Sequence, residues 1–421
     1  MANNQPQNGA FYQRHIVPAV RAALEDTPVV VIHGPRQSGK STLVQSLISE
    51  SFPARYVTFD DAIVLSAARA GPADFLAGFE GPLVIDEVHR APGILLAIKA
   101  EVDRRRAPGR YLLTGSTHVR FIPEISEALV GRSEILTLWP LSQGEIEGRR
   151  ESFLDAVFGD VVPKPRGEPV DRAAIVGRAL TGGYPEAVRR HQPGRRRAWF
   201  ASYVTTILQR EVRDLADVAG LADLPRLLAL AAARAGGIQN FSELSRSSAI
   251  PQTTLKRYLA LLEAVFLVQT IPAWSGNLGK RLLKSPRLYP VDSGLMAYLL
   301  GLDREGLDAP GAPIGPLLET FVVGEIRKQL GWSKIQLEIH HLRSAAQEEV
   351  DIVLEDRRRS VVAIEVKASS AVDERDFRHL KRLREDLGKR FLRGIVLHPG
   401  REAVTFGPEL HALPLTTLWR S

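Results

Sequence analysis

The sequence predicts an α/β multidomain protein, led by a parallel sheet whose strands alternate with helices. Three observations carry this. Val29-Val30-Val31-Ile32, Leu83-Val84-Ile85 and Tyr111-Leu112-Leu113 are short apolar runs with helical stretches between them, the pattern of strands covered on both faces. A second set of strand-like runs returns in the last hundred residues, after a long helical middle. The 421 residues are enough for about three domains of roughly 150 residues each.

Composition narrows the classes. Hydrophobic residues make up 44% and charged residues 24%, so the chain can build several cores. Cysteine is absent, which excludes disulfide scaffolds, thiolate metal sites and cysteine nucleophiles. Residues 1–9 are polar, and no apolar run approaches the ~20 residues a spanning helix needs. The expected setting is therefore cytoplasmic, away from membranes. The net charge is 55 − 48 = +7; it favours acidic partners only weakly, and where the charge sits matters more.

In chain order, a strand over 29–32 runs into a glycine-rich turn and a helix over 41–48, with Leu43, Leu47 and Ile48 at helical spacing. Strands over 83–85 and 111–113 flank a helix over 92–104, and a further strand over 135–138 ends at Trp139-Pro140. Residues 163–169 are rich in Pro, Gly and charge and read as a linker. The stretch 171–235 is helical, and 241–289 reads as helix, helix and β-hairpin. Residues 303–316 are Gly/Pro-rich and read as a hinge. A helix over 317–330 then precedes strands over 335–342, 349–354, 361–367 and 393–397.

The glycine-rich turn carries the first chemistry. Gly34-Pro35-Arg36-Gln37-Ser38-Gly39-Lys40-Ser41 fits G-x-x-x-x-G-K-[ST] without a gap, after a strand and before a helix. Such a loop curls so that backbone N–H groups face phosphate oxygens, and the helix N-terminus adds positive character. Lys40 reaches the outer phosphates, the Ser41 hydroxyl completes a Mg²⁺ shell, and Thr42 follows in the same turn. Downstream, Leu83-Val84-Ile85 ends in Asp86-Glu87. Asp86 holds Mg²⁺ directly or through water, and Glu87 orients and deprotonates the attacking water. The predicted cofactors are ATP and Mg²⁺. The strand over 111–113 ends in Thr114-Gly115-Ser116, where either Thr114 or Ser116 is placed to bond the water or the γ-phosphate. Arg132 is either an arginine finger for a neighbouring subunit or a surface cation.

Taken together these residues resemble a known family. GPRQSGKST, LVIDEVHRAP, YLLTGS and LVGRSEILTLWPLSQGE, then LTGGYPEAV, WFASYVTTILQREVRDL, KSPRLYPVDSGLMAYLLG and the closing EVDIVLE and AIEVK, are similar to AAA-type ATPases that carry a DUF4143 domain. The resemblance covers nearly the whole chain. It implies a P-loop parallel sheet over 1–160, a helical lid over 161–235, a winged helix over 236–302 and a mixed α/β domain similar to PD-(D/E)xK nucleases over 303–421. It also implies a homo-oligomer, for which a closed ring is one form. Gly183-Tyr184-Pro185 resembles the lid element that lies against adenine, which places Tyr184 and Pro185 at the nucleotide; the same three residues also make a good turn between helices.

Two further sets of residues point to nucleic acid. A second helix beginning near Pro251 places Leu255, Leu259, Leu262 and Phe266 on one side and Gln252, Thr253, Lys256 and Arg257 on the other, as a recognition helix presents donors to phosphates and base edges. The hairpin after it carries Lys280, Arg281, Lys284 and Arg287, a basic wing. Helix-turn-helix units also serve purely for packing, so the alternative stays open. Near the C-terminus, Asp351 precedes Glu365 and Lys367 on neighbouring strands, where strand alternation sends Glu365 and Lys367 to one face. Two carboxylates beside an ammonium suit metal-assisted phosphodiester hydrolysis, and the resemblance adds Glu319 as a further acid. An E-x-K pair on an exposed strand is otherwise an ordinary surface ion pair. The combined expectation is a Mg²⁺-dependent ATPase that binds and remodels DNA, in repair or recombination. The alternatives are an ATP-gated nuclease and a regulatory switch acting on protein partners.

Overall fold

The computed structural model describes residues 12–118, 128–215, 221–276, 281, 284–307, 311–343 and 348–421. Of the residues singled out above, Lys280 lies outside them. Strands β1 (Val29–His33), β2 (Arg55–Thr58), β3 (Leu83–Asp86), β4 (Tyr111–Gly115) and β5 (Ser133–Thr137) form one sheet in the order β2-β3-β4-β1-β5. Every pairing in it is parallel. All strand ends that carry chemistry therefore lie on one edge, and β4 sits between the strand of the phosphate loop and the strand of the carboxylate pair.

Alternation fills both faces of this sheet. Val29, Val31, Leu83, Ile85, Tyr111 and Leu113 pack on one side against Ile94, Leu95 and Ile98 of the helix Ile94–Arg104. Val30, Ile32, Val84 and Leu112 pack on the other against Leu43, Val44 and Leu47 of the helix Lys40–Leu47. Each fully buried aliphatic side chain contributes about 2 kcal/mol, so two full faces fix the strand order and hold the loop at the end of β1 on a rigid base.

The middle of the chain packs differently from the expected single lid. The helix Arg172–Thr181 turns Ile175, Val176 and Ala179 toward the C-terminal unit, where they meet Leu318, Val322 and Ile326. The helix Pro193–Thr206 and the residues after it join Leu244, Leu255, Leu259 and Leu262 in a separate core. Residues 161–235 thus serve two cores. The helices Phe241–Ser248 and Gln252–Ala264 are joined by a tight turn in which Ala249 takes φ 58°, and Asn240 caps the first by accepting from the N–H of Glu243. Strands β6 (Val268–Ile271) and β7 (Arg287–Pro290) follow as an antiparallel pair.

The last unit is a six-stranded mixed sheet of β8 (Leu337–Arg343), β9 (Glu349–Asp356), β10 (Val361–Val366), β11 (Phe391–His398), β12 (Val404–Gly407) and β13 (Leu410–Pro414), in the order β12-β13-β11-β10-β9-β8. The helix Ile314–Gln329 covers one face and the helix Arg378–Leu387 the other. Strand β10 is buried on both faces, with Val362 and Ile364 on one and Val361 and Ala363 on the other. An exposed strand face for Glu365 is thereby corrected: only 9% of the residue is accessible.

Candidate functional site

A cavity of about 480 Å³ opens over the end of β1, lined by Arg36, Gln37, Ser38, Gly39, Lys40, Ser41 and Thr42. Its shape depends on two glycines. A Cβ on Gly34 would lie 2.2 Å from the Leu138 carbonyl oxygen, and Gly39, at φ +98°, begins the helix from the left-handed region. Arg14 braces the loop from behind: it donates to the Ser38 carbonyl at 2.7 Å and pairs with Glu145 at 3.0 Å. Lys40 Nζ donates to the carbonyls of Gly34 and Pro35, each at 2.9 Å. Burial pushes its ammonium below the usual range, with Glu87 and Asp86 opposing. This is a cation poised for a stronger anionic partner. A second cavity of about 570 Å³ lies beside the helix Pro193–Thr206, but it has no glycine-rich loop and no strand-end carboxylates.

The carboxylate pair is held rigidly. Asp86 accepts from the Tyr56 hydroxyl at 2.9 Å and from the Thr114 hydroxyl. Thr114 in turn accepts from the Glu87 N–H at 3.0 Å. Glu87 takes φ 57° and lies 3.1 Å from His89 Nδ1. Burial works against its charge, yet His89, Lys40 and Arg36 overcome it and hold the carboxyl down at about 2. At neutral pH Glu87 is therefore a fixed negative charge, better suited to orienting a water than to stripping its proton. Ser41 in the cavity and Asp86 at the end of β3 form an all-oxygen donor set that suits Mg²⁺, directly or through water.

Thr114 and Ser116 occupy distinct places. Thr114 is fully buried and supports the carboxylate pair, whereas the Ser116 hydroxyl donates to Glu211 at 3.1 Å. The other Glu211 oxygen pairs with Arg36 of the phosphate loop. Glu211, which sequence reasoning misses as a site residue, ends a π-helical turn, Ile207–Glu211, an element that often marks a functional position. Pro185 lines the cavity together with Tyr12 and Arg189, but Tyr184 does not: it is fully buried among Trp199, Phe200 and Tyr203, with its hydroxyl 3.1 Å from that of Tyr203. The adenine role is thus corrected for Tyr184, whose bulk is needed in the helical core. Arg132 lies at the start of β5, at the opposite edge of the sheet, where Asp103 holds it at 2.6 and 3.0 Å.

The helix Gln252–Ala264 leaves Gln252, Thr253, Lys256 and Arg257 exposed, and Ala264 at its end accepts from the N–H of His118 at 2.8 Å, just beyond β4. His118 stacks on Phe266, which also meets His33 at the end of β1. Lys284 is exposed, with its ammonium 3.1 Å from the Arg343 carbonyl. Arg281 and Arg287 are corrected as wing cations. Arg281 pairs with Glu355 at 2.6 Å, and the Arg287 side chain, 5% exposed, is turned inward onto Glu319 and Asp351.

The C-terminal carboxylates do come together. Asp351 accepts from the Val366 N–H at 3.0 Å, and its side chain meets that of Glu365 one step past the Ile352–Ile364 pairing of β9 and β10. Burial and the nearby Asp351 push Glu319 up to about 7 and Glu365 well above the usual carboxylate range. Lys367 faces Asp376 at 3.3 Å.

Comparison with known proteins finds three family matches along the chain. An AAA domain family matches residues 26–147, a domain of unknown function, DUF8612, matches 172–306, and DUF4143, also of unknown function, matches 314–418. Uncharacterized proteins of Mycobacterium bovis and Mycobacterium tuberculosis are each 30% identical over 344 residues, covering 82% of this chain and 71% of theirs. Among solved structures, a Walker-type ATPase of Pyrococcus abyssi aligns with a TM-score of 0.43 at 14% identity, covering 70% of this chain and 97% of that one. A signal transduction ATPase with numerous domains (STAND) from Pyrococcus horikoshii aligns with a TM-score of 0.22 at 11% identity, covering 77% and 46%. Among the described residues no helix is long and apolar enough to cross a membrane.

Proposed function

Because the chain belongs to the family of AAA-domain proteins with a C-terminal DUF4143 domain, we propose that it is a Mg²⁺-dependent ATPase whose nucleotide state controls a DNA-binding helix-turn-helix. ATP occupies the cavity at the end of β1. Lys40 exchanges its two backbone carbonyls for phosphate oxygens, Arg36 lies at the outer end, and Pro185 borders the base. Ser41 and Asp86 would hold Mg²⁺, which would neutralise charge on the phosphate oxygens. Glu87 orients the attacking water, and Ser116 reports on the outer phosphate through Glu211. Assembly into a homo-oligomer belongs to the same reading; Arg132 serves a neighbouring site only after leaving Asp103.

One observation carries the link to DNA. The N–H of His118, two residues beyond Ser116, donates to the end of the helix that exposes Gln252, Thr253, Lys256 and Arg257. A shift at the phosphate sensor thus has a direct mechanical route to the recognition helix. The contacts with DNA come from that helix and from Lys284, with no contribution from Arg281 or Arg287. In the test, ATPase rate is measured with and without duplex and branched DNA, and DNA binding is titrated against salt. DNA should stimulate turnover. A Lys256→Ala/Arg257→Ala variant should show a log–log salt slope smaller by about two, one for each phosphate it no longer neutralises. A DNA-independent ATPase that binds no DNA at low salt would instead be a switch for protein partners.

A further inference from the structure

The C-terminal sheet carries the residue types of a metal-dependent nuclease, and the geometry decides whether they fit a cation. Arg287 lies between these carboxylates. Its Nη1 lies 3.1 Å from Glu319 Oε1 and 3.1 Å from Asp351 Oδ1, and its Nη2 lies 3.5 Å from Glu349. Two of these carboxylates have further partners. Glu319 Oε1 also accepts from the Tyr289 hydroxyl at 2.6 Å, and Asp351 Oδ2 accepts from the Val366 N–H. Lys367 pairs with Asp376 instead of joining the set.

Ligand spacing gives a second, independent reason. Among the described residues, the only His, Asp and Glu group with ligand atoms all within 4.8 Å of one another is Glu338, His340 and Glu355. Glu319, Asp351 and Glu365 do not close to that distance. One member of the group that does, Glu355, is already paired with guanidinium: Arg281 reaches it at 2.6 Å and Arg390 at 3.0 Å.

The two hairpin arginines project from a segment already stitched to the sheet. Trp274 N–H donates to the His341 carbonyl at 2.6 Å, and His341 N–H donates to Pro272 at 3.0 Å. Arg287 itself is fixed in the β6–β7 ladder opposite Ile271.

We infer that Glu319, Asp351 and Glu349 of this chain form a socket for Arg287 of the hairpin, and that the C-terminal sheet, with Glu365 beside Asp351, serves as an anchor for the helix-turn-helix unit without binding metal or cutting DNA. A buried guanidinium that loses one of its carboxylates is less fully compensated, so the socket is a structural bond. This holds whether or not the cavity at β1 turns over ATP.

The test uses the full chain without nucleotide and Mn²⁺ as probe, counted by electron paramagnetic resonance, alongside thermal unfolding. Wild type and Asp351→Asn should bind the same amount of Mn²⁺, while Asp351→Asn unfolds several degrees lower. Mn²⁺ bound by wild type and lost in Asp351→Asn would overturn the inference, as would an unchanged unfolding temperature. Should Asp351→Asn fail to fold, Glu365→Gln supplies the same Mn²⁺ comparison, with loss of a wild-type Mn²⁺ site again the overturning result.

Discussion

Replacing Glu211 by glutamine removes one charge and almost no volume at the point where the helical unit touches the phosphate loop. The amide oxygen can still accept from Ser116, so the change isolates the pair with Arg36. At hydrogen-bond distance and an effective dielectric near 20, the direct attraction is about 5 kcal/mol, most of it offset by desolvation. Removing one partner of a fully buried pair costs about 3–5 kcal/mol. Here the Arg36 side chain retains 30% of its exposure and Glu211 only 7%, so water takes up part of the orphaned charge and the expected loss is about 2 kcal/mol. For a unit of this size that lowers the unfolding temperature by about 4–8 °C. The assay is thermal unfolding with and without ATP. With ATP present the phosphates supply a new partner for Arg36, and the deficit should shrink. An unfolding temperature equal to wild type without nucleotide, or a deficit that ATP leaves untouched, would refute this assignment of Arg36 and Glu211.

Three other outcomes follow from the structure. Thr114→Val strips the hydroxyl that bonds Asp86 and Glu87; steady-state ATPase assays should show a fall in kcat much larger than the change in nucleotide affinity, while Ser116→Ala, measured in parallel, should lose DNA stimulation first. His341 is buried and its imidazole is pushed down to about 4, by burial first and by Arg287 second. Because the folded value is depressed, its contribution is full above the ordinary value near 6.5 and is lost as the pH falls through about 4; urea titrations from pH 7 to 4 should show a decline that is shallower in His341→Gln.

Much of the site was legible because its chemistry is local. The phosphate loop is eight consecutive residues, and the strand into Asp86-Glu87 is five; burial on both faces makes such strands continuous apolar runs. Strand β2 escaped notice because Arg-Tyr-Val-Thr is short and lies at the sheet edge, and the helix Arg378–Leu387 because only Leu380, Leu383 and Leu387 break its charged sequence. Pairings across the fold were hidden for a different reason. Glu211 lies 175 positions from Arg36 and 95 from Ser116, and nothing near it in sequence marks it as a partner. Arg281 and Arg287 read from sequence as a basic wing because a basic hairpin does not reveal which acids it will meet. The π-helical turn at Ile207–Glu211 is likewise set by tertiary contact and has no composition of its own.

Every functional step proposed for this chain requires that the cavity over the end of β1 grip a nucleoside triphosphate through Lys40. Isothermal titration of ATP with Mg²⁺ into the full chain tests that grip most directly. One site per chain with measurable heat is expected, and none in Lys40→Ala. No heat with the wild-type chain, or undiminished binding in Lys40→Ala, would contradict it.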